Sequence, residues 1–454
     1  MLRIAMGQME IIPGRPDINS RTMLSMIEEA RSGAADIIVF PEMAIPGYLL
    51  GDTWEQQAFL RDCEEYGRRI IAASEGLCVV FGNVGMDWNR SGDDGRVRKY
   101  NAFFVAQNGR LCSDDSFPYP FRIKTLLPNY REFDDTRHFY SLRQLAVDLG
   151  RSVKELLQPI RIEIGNRSLH IGSLICEDGW YDDYPLNPVA EIAANGPVDL
   201  LINISSSPFT LGKQGKRHRV FGKEARETGA PLVYINNVGI QNNGKTVYTF
   251  DGASTIYDRQ GQVVAACPSF EPALQLFDLD LSGRGNQPTV KPSEDNAIET
   301  VYQTLSYGTA KFLRQIGMER VVIGASGGID SAVSAALYVS ILGPENVLLT
   351  NLPSVYNSAT TKGLAEDLAK RLGCLYTVVP IQESVDHTIR QLSGAPVMNL
   401  KTGSQSHLSI TPFITENIQA RDRSARVLAG LAAAFGGGFT CNANKSEMTV
   451  GYST

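Results

Sequence analysis

The stretch VVIGASGGIDSAVSAALYV runs from Val321 to Val339. It opens as a short apolar run, breaks at a glycine pair flanked by serines and a carboxylate, and resumes with small and apolar residues at helical spacing. Strand, glycine-rich turn and helix in that order form the first unit of a doubly wound parallel sheet. The turn offers a nest of backbone N–H groups at a helix N-terminus, which suits an anion and above all a phosphate. No lysine follows the second glycine, so the G-x-x-x-x-G-K-[ST] pattern of ordinary phosphate loops is absent. Asp330 lies inside the turn and would repel a phosphate unless it holds a divalent cation that bridges to the phosphate oxygens; Mg²⁺ is the expected ion. The plainer alternative is a tight turn whose glycines serve geometry alone.

Outward from this turn the chain keeps alternating. NVLLTNLPS and LYTVVPI read as further strands, SATTKGLAEDLAKRLG and TENIQARDRSARVLAGLAAAFGG as helices, and FTCNAN as a last strand. Upstream, 296–316 reads as a helix and the polar, Gly- and Pro-rich 282–295 as a linker. Residues 1–281 alternate strand-like and helical runs, several of the strands nearly continuous in apolar residues, as where helices cover a sheet. FVAQNGRLC and IYDRQGQVV read as hairpins turning at Asn108-Gly109 and Gln260-Gly261. The expected fold is α/β: an N-terminal layered sandwich over 1–281, the linker, and a parallel-sheet domain over 296–454. The sequence ends at KSEMTVGYST with no polar tail, which reads as a C-terminal domain cut short.

The bulk properties narrow the classes. The 454 residues carry a net charge of −6 with both signs mixed, which disfavours a nucleic-acid or polybasic membrane surface. No apolar run reaches the ~18 residues of a membrane span. The start MLRIAMGQME lacks the basic and apolar regions of a signal peptide. Seven cysteines without a CxxC pair argue against a zinc ribbon or a disulfide framework, so a cytoplasmic protein is expected.

Among those cysteines Cys176 stands apart: SLICEDGW puts it at the end of an apolar strand, followed at once by two carboxylates. A thiol nucleophile needs a base and an oxyanion stabiliser. None of the five histidines sits in a context that supplies a dyad; His170 shares the strand of Cys176 and lies too far along it. Glu42 in VFPEMAIPGY, at another strand end, and Lys124 in YPFRIKTLLPNYREF are the charged candidates. Each alone reads as a solvated charge.

These motifs carry two resemblances. SGGIDS resembles the loop of the ATP pyrophosphatase superfamily, in which ATP adenylates a substrate oxygen and pyrophosphate departs. That resemblance implies ATP contacts at Gly324, Ala325, Ser326, Gly327, Gly328, Ile329, Asp330 and Ser331. LPSVYNSATTKGLAEDLAKRLG, TENIQARDR and NANKSEMTVGYST resemble NAD synthetase segments. They imply that Asn417 contacts deamido-NAD, Glu447 contacts deamido-NAD or Mg²⁺, and Asp330 is a second metal ligand. Where the family reads T-G-N-K-S-E this chain has Asn442 and Ala443; an amide still donates and accepts, so Asn442 stands in as the ATP contact.

FPE around Glu42, K-x-x-L-P-x-Y-x-x-F from Lys124 and ICEDGW around Cys176 are similar to the nitrilase superfamily, with Glu42 as base, Lys124 as oxyanion stabiliser and Cys176 as nucleophile. The resemblance further implies glutamine contacts at Tyr130, Ser207 and Lys213, and a second carboxylate, Glu132, orienting the lysine. Together the halves resemble glutamine-dependent NAD synthetases, with an N-terminal α/β/β/α sandwich. The resemblance implies amidation of deamido-NAD with ammonia released from glutamine and channelled between sites, by a homo-oligomer. Two alternatives stay open: another glutamine-dependent adenylating ligase, or a glutaminase whose nucleotide-binding half is inactive.

Overall fold

The computed structural model describes residues 1–92, 95–113, 116–131, 133–242, 244, 246–283, 288–290, 297–355 and 359–451. The chain forms two compact units, Met1–Gly308 and Thr309–Thr454. Most of the expected linker, 284–287 and 291–296, lies outside the described residues, as does Glu132.

In the first unit, Leu2–Gln8 sits between the parallel strand Ile37–Val39 and the antiparallel strand Ala273–Leu279. Ile37–Val39 pairs next with Cys78–Ser91, which pairs in turn with Val97–Gln107. A second sheet runs in the order Val263–Ala266, Thr255–Tyr257, Leu232–Asn236, Leu200–Ser205, Arg167–Ile175, Ile160–Ile164. Alternation explains why the strands are apolar on both sides. Ile37, Val39 and Val80 share one buried cluster with Ile171, Ile202, Ile204 and Val233 of the other sheet. Ile38, Phe40, Val79 and Phe81 turn the other way, onto Met23, Ile27 and Ile70 of the helices Pro16–Ser32 and Gln57–Ala72. Leu174, Leu201 and Leu232 lie in the same cluster as Ile192, Phe221 and Ala225 of Pro188–Asn195 and Lys213–Thr228. The result is the expected α/β/β/α sandwich. One reading needs refinement: PLVYINNVGI is not a single strand, because after Asn236 the chain leaves the sheet and Val238–Asn242 pairs with Val247–Asp251 in a separate ribbon.

The second unit has a four-stranded parallel sheet in the order Leu375–Val378, Val347–Asn351, Val321–Gly324, Gly438–Phe439. Chain order reverses on either side of Val321–Gly324, so the crevice beyond its carboxyl end is the topological switch point of a doubly wound sheet. The helix expected over TENIQARDRSARVLAGLAAAFGG is not uniform. It runs as an α-helix over Pro412–Arg421, widens to a π-helix over Asp422–Leu428, and returns to α over Ala429–Phe435. Among the described residues no helix is long and apolar enough to cross a membrane.

Candidate active sites

Three strand ends of the first unit converge on one buried cluster. Glu42 follows Ile37–Val39, and its carboxylate is fully enclosed. Its Oε1 accepts from Asn101 Nδ2 at 2.7 Å and from Lys124 Nζ at 2.9 Å, and its Oε2 accepts from the Ser206 backbone N–H at 2.8 Å. Lys124 Nζ also donates to Asp135 Oδ2 at 2.9 Å and reaches Tyr48 Oη at 3.4 Å, while Tyr48 Oη donates to Asp135 Oδ1 at 2.6 Å. A lysine with no exposure is stable as a cation only because two carboxylates face it. Burial pulls its pKa down, but Asp135 and Glu42 outweigh that and hold the ammonium well above its usual range. Burial likewise raises the Glu42 carboxyl, with Lys124 opposing, which makes it the better base.

Cys176 is the first residue past Arg167–Ile175 and adopts φ 45°, a left-handed conformation that a non-glycine residue holds only when its surroundings impose it. The restraint is Asp178. Its Oδ2 accepts from the Ile175 N–H at 3.0 Å, and its Oδ1 accepts from the N–H groups of Thr125 and Leu126 at 3.0 and 2.8 Å. One carboxyl therefore ties the cysteine turn to the loop that begins at Lys124. The thiol is buried, and burial first, then Glu42, pushes its pKa up, with Lys124 and Lys213 opposing. The resting group is a neutral thiol within electrostatic reach of the Glu42 carboxyl and of the Lys124 and Lys213 ammonium groups.

Asp178 supports a prediction. Its removal in Asp178→Ala leaves three buried N–H groups without acceptors, at ~1–3 kcal/mol for a buried donor. A lowered melting temperature is expected together with a loss of cysteine-dependent activity; a variant that melts like the parent would refute the tie. Burial also pushes the Asp178 carboxyl up to about 7. Between its unfolded value of 3.8 and that value the folded chain holds a proton that the unfolded chain has lost. This group's contribution to stability therefore declines as pH rises through that window, and the decline should vanish in Asp178→Ala.

Gly82 explains the close approach of the Glu42 backbone to the neighbouring strand. A Cβ there would lie 2.6 Å from Glu42 Cα and 2.4 Å from the Met43 backbone nitrogen. Gly82→Ala is expected to displace the base and to lower kcat for cysteine-dependent hydrolysis by tenfold or more, roughly the cost of ångström-scale misplacement; an unchanged kcat would count against this.

The three expected glutamine contacts surround the same turn. Tyr130 Oη donates to both oxygens of Glu177 at 3.0 and 3.1 Å, and Tyr184 Oη donates to Glu177 Oε1 at 2.8 Å. Lys213 Nζ donates to the Pro208 carbonyl at 2.9 Å. Ser207 is buried, and its backbone N–H donates to Asn236 Oδ1 at 2.9 Å. The expected histidine readings hold to the extent that His170 pairs with Asp199 rather than with the thiol.

In the second unit, the switch-point crevice is a cavity of about 620 Å³. Gly324, Ala325, Ser326, Asp330, Ser331, Asn442 and Glu447 all line it; Gly327, Gly328 and Ile329 of the loop do not. The loop is internally braced: the Gly328 N–H donates to Ser326 Oγ at 3.2 Å and Ser331 Oγ donates to the Gly328 carbonyl at 3.0 Å. Helix Ile329–Leu342 begins there and aims its N-terminus at the cavity edge. Asn442 Oδ1 accepts from Thr440 Oγ1 at 2.9 Å, and Asn442 Nδ2 reaches the Gly324 carbonyl at 3.4 Å, so the amide links the last strand to the loop. Asp330 and Glu447 share a neighbour: Asn444 Nδ2 reaches Asp330 Oδ1 at 3.4 Å, and the Asn444 N–H donates to Glu447 Oε2 at 3.0 Å. Among the described residues no group of three or more His, Cys, Asp or Glu side chains gathers here, so a divalent ion at these carboxylates would draw the rest of its shell from water and phosphate. Asn417 is not among the lining residues; its side chain is occupied by the Phe413 carbonyl and by Arg421.

Several groups of the candidate sites escaped the sequence reading. Asp135 pairs with Lys124 across 11 positions, and Asn101 and Ser206 reach Glu42 from other strands. Their register could not be read before the sheets were assembled. Asp178 stood in the quoted ICEDGW, but nothing local announced that it would bind a loop 52 residues away.

Residues 3–288 match the carbon-nitrogen hydrolase family and residues 301–454 the NAD synthase family. The glutamine-dependent NAD(+) synthetase of Xylella fastidiosa (strain 9a5c) is 33% identical over 457 residues, covering 100% of this chain and 75% of the relative. That of Thermotoga maritima is 30% identical over 487 residues, covering 100% and 76%. The solved glutamine-dependent NAD+ synthetase from Acinetobacter baumannii, in complex with ADP, superposes with a TM-score of 0.81 at 27% identity, covering 100% of this chain and 76% of that one. Both halves are matched in one chain, which favours the two-activity reading over either alternative. The chain belongs to the glutamine-dependent NAD(+) synthetases, carbon–nitrogen ligases that join a nitrilase-type domain to an NAD synthase domain.

Proposed function

We propose that residues 1–281 release ammonia from glutamine and that residues 296–454 use it to amidate deamido-NAD at the expense of ATP. The reading rests above all on one observation: a buried Glu42–Lys124 pair beside a strained Cys176 shares its chain with the SGGIDS cavity.

Glu42 takes the Cys176 proton as sulfur attacks the amide carbon, and later returns it to the departing nitrogen. Lys124 spends two N–H groups on carboxylates and holds the third on a 3.4 Å contact with Tyr48, so that donor is the one available to the oxyanion. Water then cleaves the thioester with Glu42 as base. Glu177, presented by Tyr130 and Tyr184, carries the charge to hold the α-ammonium of glutamine, and Lys213, with the Ser207 hydroxyl, the α-carboxylate. In the second unit Ser326, Ser331 and the helix N-terminus receive phosphate oxygens, and Asn442 fixes the loop that carries them. Asp330 and Glu447 would hold Mg²⁺, which when bound neutralises phosphate charge. A deamido-NAD carboxylate oxygen attacks the α-phosphorus, pyrophosphate leaves, and ammonia displaces AMP from the acyl carbon with loss of a proton.

Free ammonia at neutral pH is mostly ammonium and no nucleophile, so sheltered transfer between the sites is part of the proposal, as are a homo-oligomeric assembly and a cytoplasmic location. With amide-¹⁵N glutamine in a large excess of unlabelled ammonium, the NAD amide nitrogen is expected to remain mostly ¹⁵N. Dilution to the isotopic composition of the medium would sink sheltered transfer, and failure to form NAD from deamido-NAD, ATP and glutamine would sink the whole reading.

A further inference from the structure

We propose that Arg423 is a substrate-binding residue of the synthetase cavity whose guanidinium holds the phosphates of ATP as pyrophosphate is expelled. The proposal rests on the reading of this cavity as the ATP site.

The argument starts from charge. Among the described residues of the cavity wall are three carboxylates, Asp330, Glu416 and Glu447, and one cation, Arg423. ATP brings a polyphosphate of high negative charge into that wall. The loop lacks the lysine that answers this charge in other phosphate loops, and two carboxylates engaged with a divalent ion leave little positive charge over. A planar guanidinium with five donors is the side chain best matched to phosphate oxygens.

Arg423 is also held ready. It is half-buried, and among the described residues no hydrogen bond or ion pair holds its guanidinium. Its neighbour Asp422 lies close in sequence but is engaged elsewhere. That carboxylate accepts from Arg426 Nε at 2.7 Å and Nη2 at 2.8 Å, and from Ser384 Oγ at 2.7 Å. Burial draws the guanidinium below its ordinary pKa and the nearby Asp422 charge offsets this only in part, so the cation has given up water without a bonded anion to replace it. Leaving a charge in that state is costly unless a ligand completes it.

The backbone gives an independent sign. Arg423 lies in the π-helical turns Asp422–Leu428, between two α-helical segments. Such turns give up regular hydrogen-bond geometry and concentrate at functional sites. Here they keep Arg423, Ser424 and Leu428 on the cavity wall together with Gln419 and Ala420.

The chemistry balances without a further reactant. The carboxylate oxygen of deamido-NAD forms a bond to the α-phosphorus, the bond from that phosphorus to the β-phosphate oxygen breaks, and the electron pair leaves on pyrophosphate. Arg423 exchanges no proton; it stabilises charge that moves onto the leaving oxygens.

Arg423→Ala and Arg423→Lys in the full chain test this, with Mg²⁺ present and ammonium as nitrogen donor. The alanine variant should lose about 10²–10³-fold in kcat for pyrophosphate release, the typical effect of removing one transition-state donor. It should bind ATP at least tenfold more weakly while binding adenosine and deamido-NAD as the parent does. Added guanidinium at low millimolar concentration should restore part of the rate to the alanine variant, and lysine should retain more than alanine. Parental kcat and ATP affinity in Arg423→Ala would overturn the proposal, as would a loss confined to deamido-NAD. A drop in adenosine binding alongside ATP with a lowered melting temperature would also overturn it, by marking the residue as structural. A parent chain that releases no pyrophosphate from ATP and deamido-NAD would instead overturn the ATP-site reading on which it stands.

Discussion

Cys176→Ala is expected to abolish NAD formation from glutamine while leaving NAD formation from ammonium intact. The loss should be at least about 10⁴-fold, since removing a nucleophile leaves only binding and oxyanion stabilisation to act on the amide. The alanine is smaller than the side chain it replaces, and the Asp178 bonds that shape the turn run through backbone N–H groups, so the fold should persist. Two assays on one preparation decide the matter. If glutamine still drives the reaction, the thiol is not the nucleophile. If ammonium no longer does, the two halves are not chemically separable in the way proposed.

Lys124→Met should damage the stability of the first unit as well as its activity. It leaves Glu42 and Asp135 buried and facing one another without the cation between them. Breaking a buried pair by deleting one partner costs about 3–5 kcal/mol, so a clear fall in melting temperature is expected. Glutamine-dependent turnover should fall by about 10³-fold or more through loss of the oxyanion donor. The residual activity should also change its pH profile. Glu42 works as a base only when ionised, and its pKa is already raised by burial, with Lys124 the main opposing influence. Without the lysine the acid limb of kcat/KM should move to higher pH, because more alkaline conditions are then needed to ionise the base. An acid limb that stays in place would show that Glu42 is not the titrating group.

Much of this was legible in the chain. Continuous apolar runs such as Ile37–Phe40 foretold strands covered on both sides, and those residues alternate between the facing sheet and the outer helices. The Asn108-Gly109 turn was readable because both residues take positive φ, as a two-residue hairpin demands. The three residues proposed as the triad stood out because each ends a strand or opens a loop with a distinctive neighbourhood, and the structure brings them to one buried cluster. Their supports did not. Asp135, Asn101, Tyr48 and the Ser206 N–H act from distant positions, and only assembled sheets bring them within 3.4 Å of the charges they hold. The widening of the Asp422–Leu428 helix was equally hidden, since a sequence pattern fixes which residues face inward more readily than how one turn is wound.

The enclosure of Cys176 has a consequence for the enzyme between turnovers. A sulfur held as neutral thiol, 6% exposed and crowded by carboxylates, is a poor target for peroxide or alkylating reagents. Iodoacetamide should therefore label the exposed Cys441 long before Cys176. As the proposed nucleophile, Cys176 would be shielded from oxidative damage while idle and become reactive only once an amide has arrived to receive its electrons.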